Sequence, residues 1–315
     1  MTLQPFNTNY LEEHDGHKIW FAQYGNPSGI PIIVCHGGPG ASSKPKHTSR
    51  YDLAKYQVIA FDQRGCGKSL PLGETKNNTL SDLVSDMERL RVFLKIDKWF
   101  VTGGSWGSTV ALVYAESHAD NVLGLLLSSI VLARRQDIDW SFTKPGGIDK
   151  IFSDLWQTRG EFLAKFGANC SNAASILLEK MHSNDAATVS EITAGIMNWE
   201  GNLLSSQSGL SFTDPSDVKA ENIASVKIFL HYDSHDSFMV ENQILQNIKT
   251  IKDIPTIIVH GRYDLLCTFD QAWELHKNIP DSELVTLPSS NHRLTADGEI
   301  ARSMAFKYFL SKQNL

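Results

Sequence analysis

Around residue 105 the chain reads Thr102-Gly103-Gly104-Ser105-Trp106-Gly107-Ser108, a Gly-x-Ser-x-Gly with glycines at 103 and 107. The apolar run Trp99-Phe100-Val101 before it reads as a buried strand, and Val110-Ala111-Leu112-Val113-Tyr114-Ala115 after it as a buried helix. Strand, tight turn and helix are the setting of a nucleophile elbow, which lifts a serine hydroxyl above the end of a sheet and aims it at the first amides of the helix. So sharp a bend leaves no room for side chains on either side of the serine, hence the two glycines. Few folds place a serine this way, so the rest of the chain has to supply a parallel sheet around it.

It does so in order. Asp15-Gly16 between two strand-like runs signals a hairpin. Pro31-Ile32-Ile33-Val34-Cys35 and Gln57-Val58-Ile59-Ala60-Phe61 are continuous apolar runs, as strands buried on both faces should be. Leu80, Leu83, Val84, Met87, Leu90 and Leu94 recur at helical spacing behind a Thr79-x-x-Asp82 capping box. Val122–Leu127 is a further strand. This alternation predicts an α/β fold with a mostly parallel sheet, helices on both faces and right-handed crossovers.

From about Ala133 to Asp253 the texture becomes helical and polar, with candidate helices over 149–166 and 173–181 and no buried strand run. The stretch from Ser105 to Asp264 is several times the roughly 30 residues of a βαβ unit. The excess reads as a helical cap inserted over the strand ends. Residues 1–132 and 254–315 then form the catalytic domain and 133–253 the cap. Strand signals return at Ile254–His260 and Glu283–Leu287. Ile300, Met304 and Tyr308 mark a closing helix.

Three groups, Ser105, Asp264 and His292, fall in loops after strands, where ligands of α/β sheets bind. Their chain order is that of the α/β-hydrolases. A serine hydroxyl needs a base within reach, and an imidazole base needs a carboxylate to set its tautomer. His292 is read as that base and Asp264 as its carboxylate, with Asp270 a weaker alternative acid at the start of the next helix. The glycine loop His36-Gly37-Gly38-Pro39-Gly40 reads as half of an oxyanion hole, with the amides of Gly38 and Trp106 as donors. Of the 11 histidines, His36 reads as structural, and His231 and His235 as cap-surface or pocket residues. Asp62 and Arg64 read as bracing their loop by ion pairing.

Other chemistries find less support. Gly67-Lys68-Ser69 has the ending of a phosphate-binding loop, but the glycine that loop needs at 62 is Asp62. The formal charge of −6 gives nucleic acid or an anionic membrane nothing to bind. The first residues lack the basic and apolar regions of a signal peptide, and no apolar run is long enough to span a membrane. Cys35, Cys66, Cys170 and Cys267 are scattered without a CxxC pair and read as reduced thiols in a cytoplasmic protein. Cys35, Cys66 and Cys267 each lie near an active-site loop and read as small core residues. No cofactor or metal is expected, the partner is a small peptide or acyl substrate, and the oligomeric state stays open.

Taken together, His36-Gly-Gly-Pro-Gly40, Asp62-Gln-Arg-Gly-Cys-Gly67, Gly103-Gly-Ser-Trp-Gly-Ser-Thr109, His260-Gly-Arg-Tyr-Asp264 and Arg134-Arg135…Asp139-Trp140 resemble the motifs of the proline iminopeptidases (prolyl aminopeptidases). The resemblance covers the catalytic domain well and the cap poorly. It implies release of an N-terminal proline from a small peptide through an acyl-enzyme on Ser105. It also implies cap glutamates that hold the substrate's free amine, one of them in a Trp-Glu-Gly motif matched by Trp199-Glu200-Gly201. Three positions depart from the pattern. A second family glutamate precedes a His-Tyr pair by two positions, where this chain has Phe229. Val131 stands where the family carries an aromatic that lines the proline pocket, and Asn291 replaces a glycine before the histidine. With one carboxylate missing, the rival reading is an esterase or amidase for small uncharged acyl compounds.

Overall fold

The long apolar runs of the chain meet in a single sheet. The computed structural model describes residues 3–143, 145, 147–204, 210 and 212–313. In chain order the strands are β1 (Asn7–Tyr10), β2 (Trp20–Gly25), β3 (Ile30–Cys35), β4 (Tyr56–Phe61), β5 (Trp99–Ser105), β6 (Val122–Ile130), β7 (Thr256–Gly261) and β8 (Glu283–Leu287). They lie in the order β1-β2-β4-β3-β5-β6-β7-β8. β1 with β2 and β2 with β4 are antiparallel, and every pairing from β4 to β8 is parallel. Asp15 and Gly16, with φ of 52° and 85°, turn the first hairpin through two left-handed residues, the geometry a two-residue turn needs.

Alternation along the strands builds two cores. Ile33 and Cys35 of β3 face one side with Ile59, Val101 and Leu127, while Ile32 and Val34 face the other with Val58, Phe100 and Leu126. The first side is covered by α2 (Leu80–Phe93), α3 (Trp106–Ser117) and α10 (Phe269–Asn278), which contribute Met87, Leu90, Val110, Tyr114 and Leu275. The second side lies under α11 (Ala296–Lys312) through Phe306, Phe309 and Leu310. Helix α2 starts as its sequence predicts. The Thr79 amide donates to Asp82 Oδ2 at 2.8 Å, and Thr79 Oγ1 accepts from the Asp82 amide at 3.3 Å.

The closing helix forms where the sequence marks it. Ile300, Met304 and Tyr308 locate it, yet they are 60%, 65% and 61% exposed. A second stripe, Phe306 with Phe309 and Leu310, faces the sheet. Periodicity located the helix, and the larger apolar area of that second stripe set which way it faces.

Between β6 and β7 the described residues contain helices alone: α4 (Arg135–Ile138), α5 (Ser153–Lys165), α6 (Ala173–Met181), α7 (Ala186–Leu204), α8 (Ala220–Asp233) and α9 (Gln243–Asn247), besides short turns. The helix expected over 149–166 is split, with a 3-10 turn over Ile148–Lys150 before α5. Leu163, Leu177, Ile192, Val226 and Leu230 give α5 to α8 a core of their own. Helix α8 also turns Ile228 and Tyr232 into the core beside the sheet, where Ile244, Ile248 and Ile251 join them. The upper helices are therefore anchored to the sheet through α8.

Candidate active site

The chain order reverses between β3 and β5, and the loops that leave these neighbouring strands carry His36 to Gly40 and Ser105. Such a switch point opens a crevice at the strand ends. Ser105 ends β5 with φ 56° and ψ −136°, a conformation costly for a residue with a side chain. Its glycines explain how the bend closes. A Cβ on Gly103 would come within 2.0 Å of the Gly107 carbonyl oxygen, and one on Gly107 within 2.2 Å of the Cys35 carbonyl oxygen.

The glycine loop lies against this bend. A Cβ on Gly37 would stand 3.3 Å from Ser105 Cβ, and Gly38 holds φ 120°, open to glycine. Gln63 ties the start of the glycine loop to the Trp106 side chain. Its side-chain amide donates to the His36 carbonyl at 2.8 Å and its side-chain oxygen accepts from the Trp106 indole at 3.0 Å. Its backbone amide donates to His36 Nε2 at 3.0 Å. That bond needs a neutral imidazole, and burial lowers the pKa of His36 accordingly. Asp62 and Arg64 do brace their loop, but not by pairing with each other. Asp62 accepts from the amides of Ser43 and Lys68, at 2.7 and 2.8 Å. Buried Arg64 pairs with Asp86 at 2.6 Å, because α2 brings that carboxylate under the loop.

Asp264 is held in the loop after β7. Its Oδ1 accepts from the amides of Leu266 and Cys267 at 3.2 and 2.8 Å, and its Oδ2 accepts from His292 Nδ1 at 2.8 Å. Buried His260 supports this loop. It accepts from the Ile130 amide at Nδ1, so its Nε2–H donates to the Cys267 carbonyl at 2.8 Å. The alternative acid, Asp270, lies away from His292 and pairs with Arg134 at 3.0 Å. Cys267 is more than a core filler. It lines the cavity beside Ser105, and burial raises its thiol pKa well above the ordinary value. Donor atoms of Asp264, Cys267 and His292 lie within 4.8 Å of one another, close enough to reach a metal, although the Asp264–His292 hydrogen bond already uses two of them.

Over Ser105 opens a cavity of about 90 Å³. Gly38, Trp106, Val131, Phe142, Phe229 and Leu266 give it an apolar wall. Trp199 does not line it. Its indole donates to the Ser141 carbonyl at 3.2 Å and packs against Trp156, because α7 turns Glu200 and not Trp199 toward the cavity. His231 and His235 are also outside it; His231 bonds the Asn78 carbonyl at 2.9 Å.

Three carboxylates reach this wall, Asp137, Glu200 and Asp233, and among the described residues no Lys or Arg does. Asp137 is matched by Arg134 at 2.7 Å. Glu200 is pushed up to about 8, first by burial and then by the neighbouring charge of Asp233. Asp233 is pushed up to about 6 by burial, partly offset by Arg159 and Arg135. Two carboxyls that ionise reluctantly, side by side in an apolar pocket, are arranged to receive a cation. Asp233 was not singled out in the sequence. It follows Phe229 by four residues on α8, so both project from one face of the helix into the cavity. The signal was there as the i, i+4 spacing, which a position-by-position match does not read.

A family model described as the alpha/beta hydrolase fold matches residues 30–298. Similar curated proteins include the "Probable proline iminopeptidase" of Leptolyngbya boryana, 38% identical with 94% of this chain and 91% of that protein covered. The "Proline iminopeptidase" of Xylella fastidiosa strain Temecula1 is 36% identical over 92% of each. That of Arabidopsis thaliana is 34% identical, with 94% of this chain and 77% of that protein covered. The chain belongs to the proline iminopeptidase family. Among solved structures, an esterase from Exiguobacterium antarcticum superposes with a TM-score of 0.64 at 20% identity, covering 96% of this chain and 99% of that one. That likeness shows the α/β-hydrolase fold. No helix of the described residues is long and apolar enough to cross a membrane. In this chain Phe occupies 229 and the carboxylate stands one helical turn on, at 233.

Proposed function

We propose that the chain is a serine aminopeptidase that releases N-terminal proline from small peptides. Ser105 attacks the prolyl carbonyl while His292 takes its proton, with Asp264 holding the imidazole by Nδ1. The amides of Gly38 and Trp106 receive the oxyanion, an interaction in which each donor is worth about 3 kcal/mol of transition-state stabilisation. His292 returns the proton to the leaving amine, and water then hydrolyses the acyl-enzyme. The helical segment 133–253 serves as the cap that excludes water from this step, in a cytoplasmic enzyme whose four cysteines stay reduced.

The observation that carries the reading is the pair Glu200 and Asp233 in the cavity beside Ser105. An ester or amide without a charge would gain nothing from two desolvated carboxyls, whereas the secondary ammonium of an N-terminal proline brings one positive charge and two N–H donors, one for each carboxyl. Asp233 thereby supplies the second carboxylate whose absence from 229 favoured the esterase reading. Hydrolysis of proline-β-naphthylamide and its N-acetyl derivative tests this. The free amine should turn over at least tenfold faster in kcat/KM, and Ser105→Ala should abolish both. Equal rates would support the esterase reading instead.

A further inference from the structure

A second cavity, of about 420 Å³, meets Ser105 from the other side. His292 lines this cavity and not the prolyl one. Among the described residues its wall carries Lys44, Lys46, Arg50, Arg293 and Arg302 against a single carboxylate, Glu299. Glu299 is shared between Arg50 at 3.6 Å and Arg302. Arg302 is only 6% exposed. One of its terminal nitrogens donates to Ser128 Oγ at 3.3 Å, while its Nε is buried with no hydrogen-bond partner among the described residues. Glu299 offsets one of these cations, which leaves the wall with an excess of positive charge for an anion to meet. His47, in the same wall, is pushed down to about 3 by burial and then by Arg50, His36, Lys46 and Arg302, so the cavity is positive as well as roomy.

Position gives the cavity a role, one that rests on the aminopeptidase reading above. The prolyl group occupies the side of Gly38, Trp106 and Glu200. The leaving nitrogen has to stand by His292 to be protonated, and the chain that follows it continues past Arg293 into this basic space. We propose that the cavity is a leaving-group subsite that binds a carboxylate on the residue after proline. That carboxylate is either the free C-terminus of a dipeptide or an acidic side chain; both present the planar pair of oxygens that a guanidinium matches.

Substrate pairs separate the two sources. If the cavity reads the C-terminus, Pro-Gly should exceed Pro-Gly-amide by about tenfold or more in kcat/KM, the effect of one hydrogen-bonded charge. If it reads the side chain, Pro-Glu-amide should exceed Pro-Gln-amide similarly. Arg302→Gln should bring the favoured ratio close to one, as should the double variant Arg50→Gln/Lys46→Gln, which touches less buried residues and keeps the test open if Arg302→Gln misfolds. Turnover of proline-β-naphthylamide with both ratios near one would overturn the subsite and leave the aminopeptidase reading standing. Failure of every prolyl substrate would remove that reading, and the subsite would then be decided by a measurement independent of proline. N-acetylglycine should slow fluorophosphonate labelling of Ser105 in the parent and not in the variants; no protection in the parent overturns the subsite.

Discussion

Glu200→Gln should make the protein more stable and less active, and the two effects should part with pH. The carboxyl sits near pKa 8 in the folded chain and near 4.5 in an ordinary environment. Below about pH 4.5 it is protonated in both folded and unfolded chains and contributes nothing to their difference. From there to about pH 8 the unfolded chain gives up the proton and the folded chain keeps it. Each pH unit in that window therefore favours unfolding by about 1.4 kcal/mol, to a ceiling of roughly 5 kcal/mol. Water in the cavity and relaxation of its walls bring this to about half. Glutamine has the shape of the protonated acid and no charge to lose. Thermal unfolding should give parent and variant the same Tm within about a degree at pH 4, with the variant several degrees higher at pH 9. In the same preparation kcat/KM for proline-β-naphthylamide should fall by about tenfold to a hundredfold. A variant with the same offset in Tm at both pH values, or a lower Tm at pH 9, would refute a desolvated, reluctantly ionised Glu200.

Asp233→Asn should erase most of the preference for free over acetylated prolyl amines, about tenfold in the ratio of kcat/KM; adding Phe229→Glu should restore part of it from the same helix face. With Asp233 near pKa 6, KM for the free-amine substrate should drop as pH rises through that value and the carboxylate forms, and the inflection should vanish in Asp233→Asn. Gly107→Ala drives a Cβ to within 2.2 Å of the Cys35 carbonyl, so soluble yield and Tm should both fall sharply on expression and melting. Gln63→Leu unties His36 from Trp106, and should lower kcat about tenfold or more with little change in KM, read from initial rates.

Much of this architecture is written in local pattern. Continuous apolar runs located β3 to β7, Thr79 and Asp82 located the start of α2, and the elbow glycines are explained by contacts of 2.0 and 2.2 Å that a Cβ would make. Ser105, Asp264 and His292 could each be placed at the end of a strand because each follows an apolar run. What escaped depends on which way a helix is rotated or what a loop meets across the fold. The stripe Ile300, Met304 and Tyr308 has helical period whether it faces in or out. Trp199 and Glu200 are adjacent in a motif, yet point to different neighbours on α7. Asp233 stands one helical turn from Phe229 and enters the same cavity, which shows only once α8 is built. Gln63 lies in the motif that runs from Asp62 to Gly67, but its role comes from three hydrogen bonds to residues distant in the chain, which the motif alone does not show.

The central claim is that Ser105 carries the prolyl group. Rapid acid quench after mixing with L-proline p-nitrophenyl ester, followed by peptide mapping, tests it directly. A prolyl adduct on the peptide containing Ser105, absent in Ser105→Ala, is the predicted result; an adduct on the neighbouring Cys267, or turnover with no adduct on Ser105 in any quench, would contradict it.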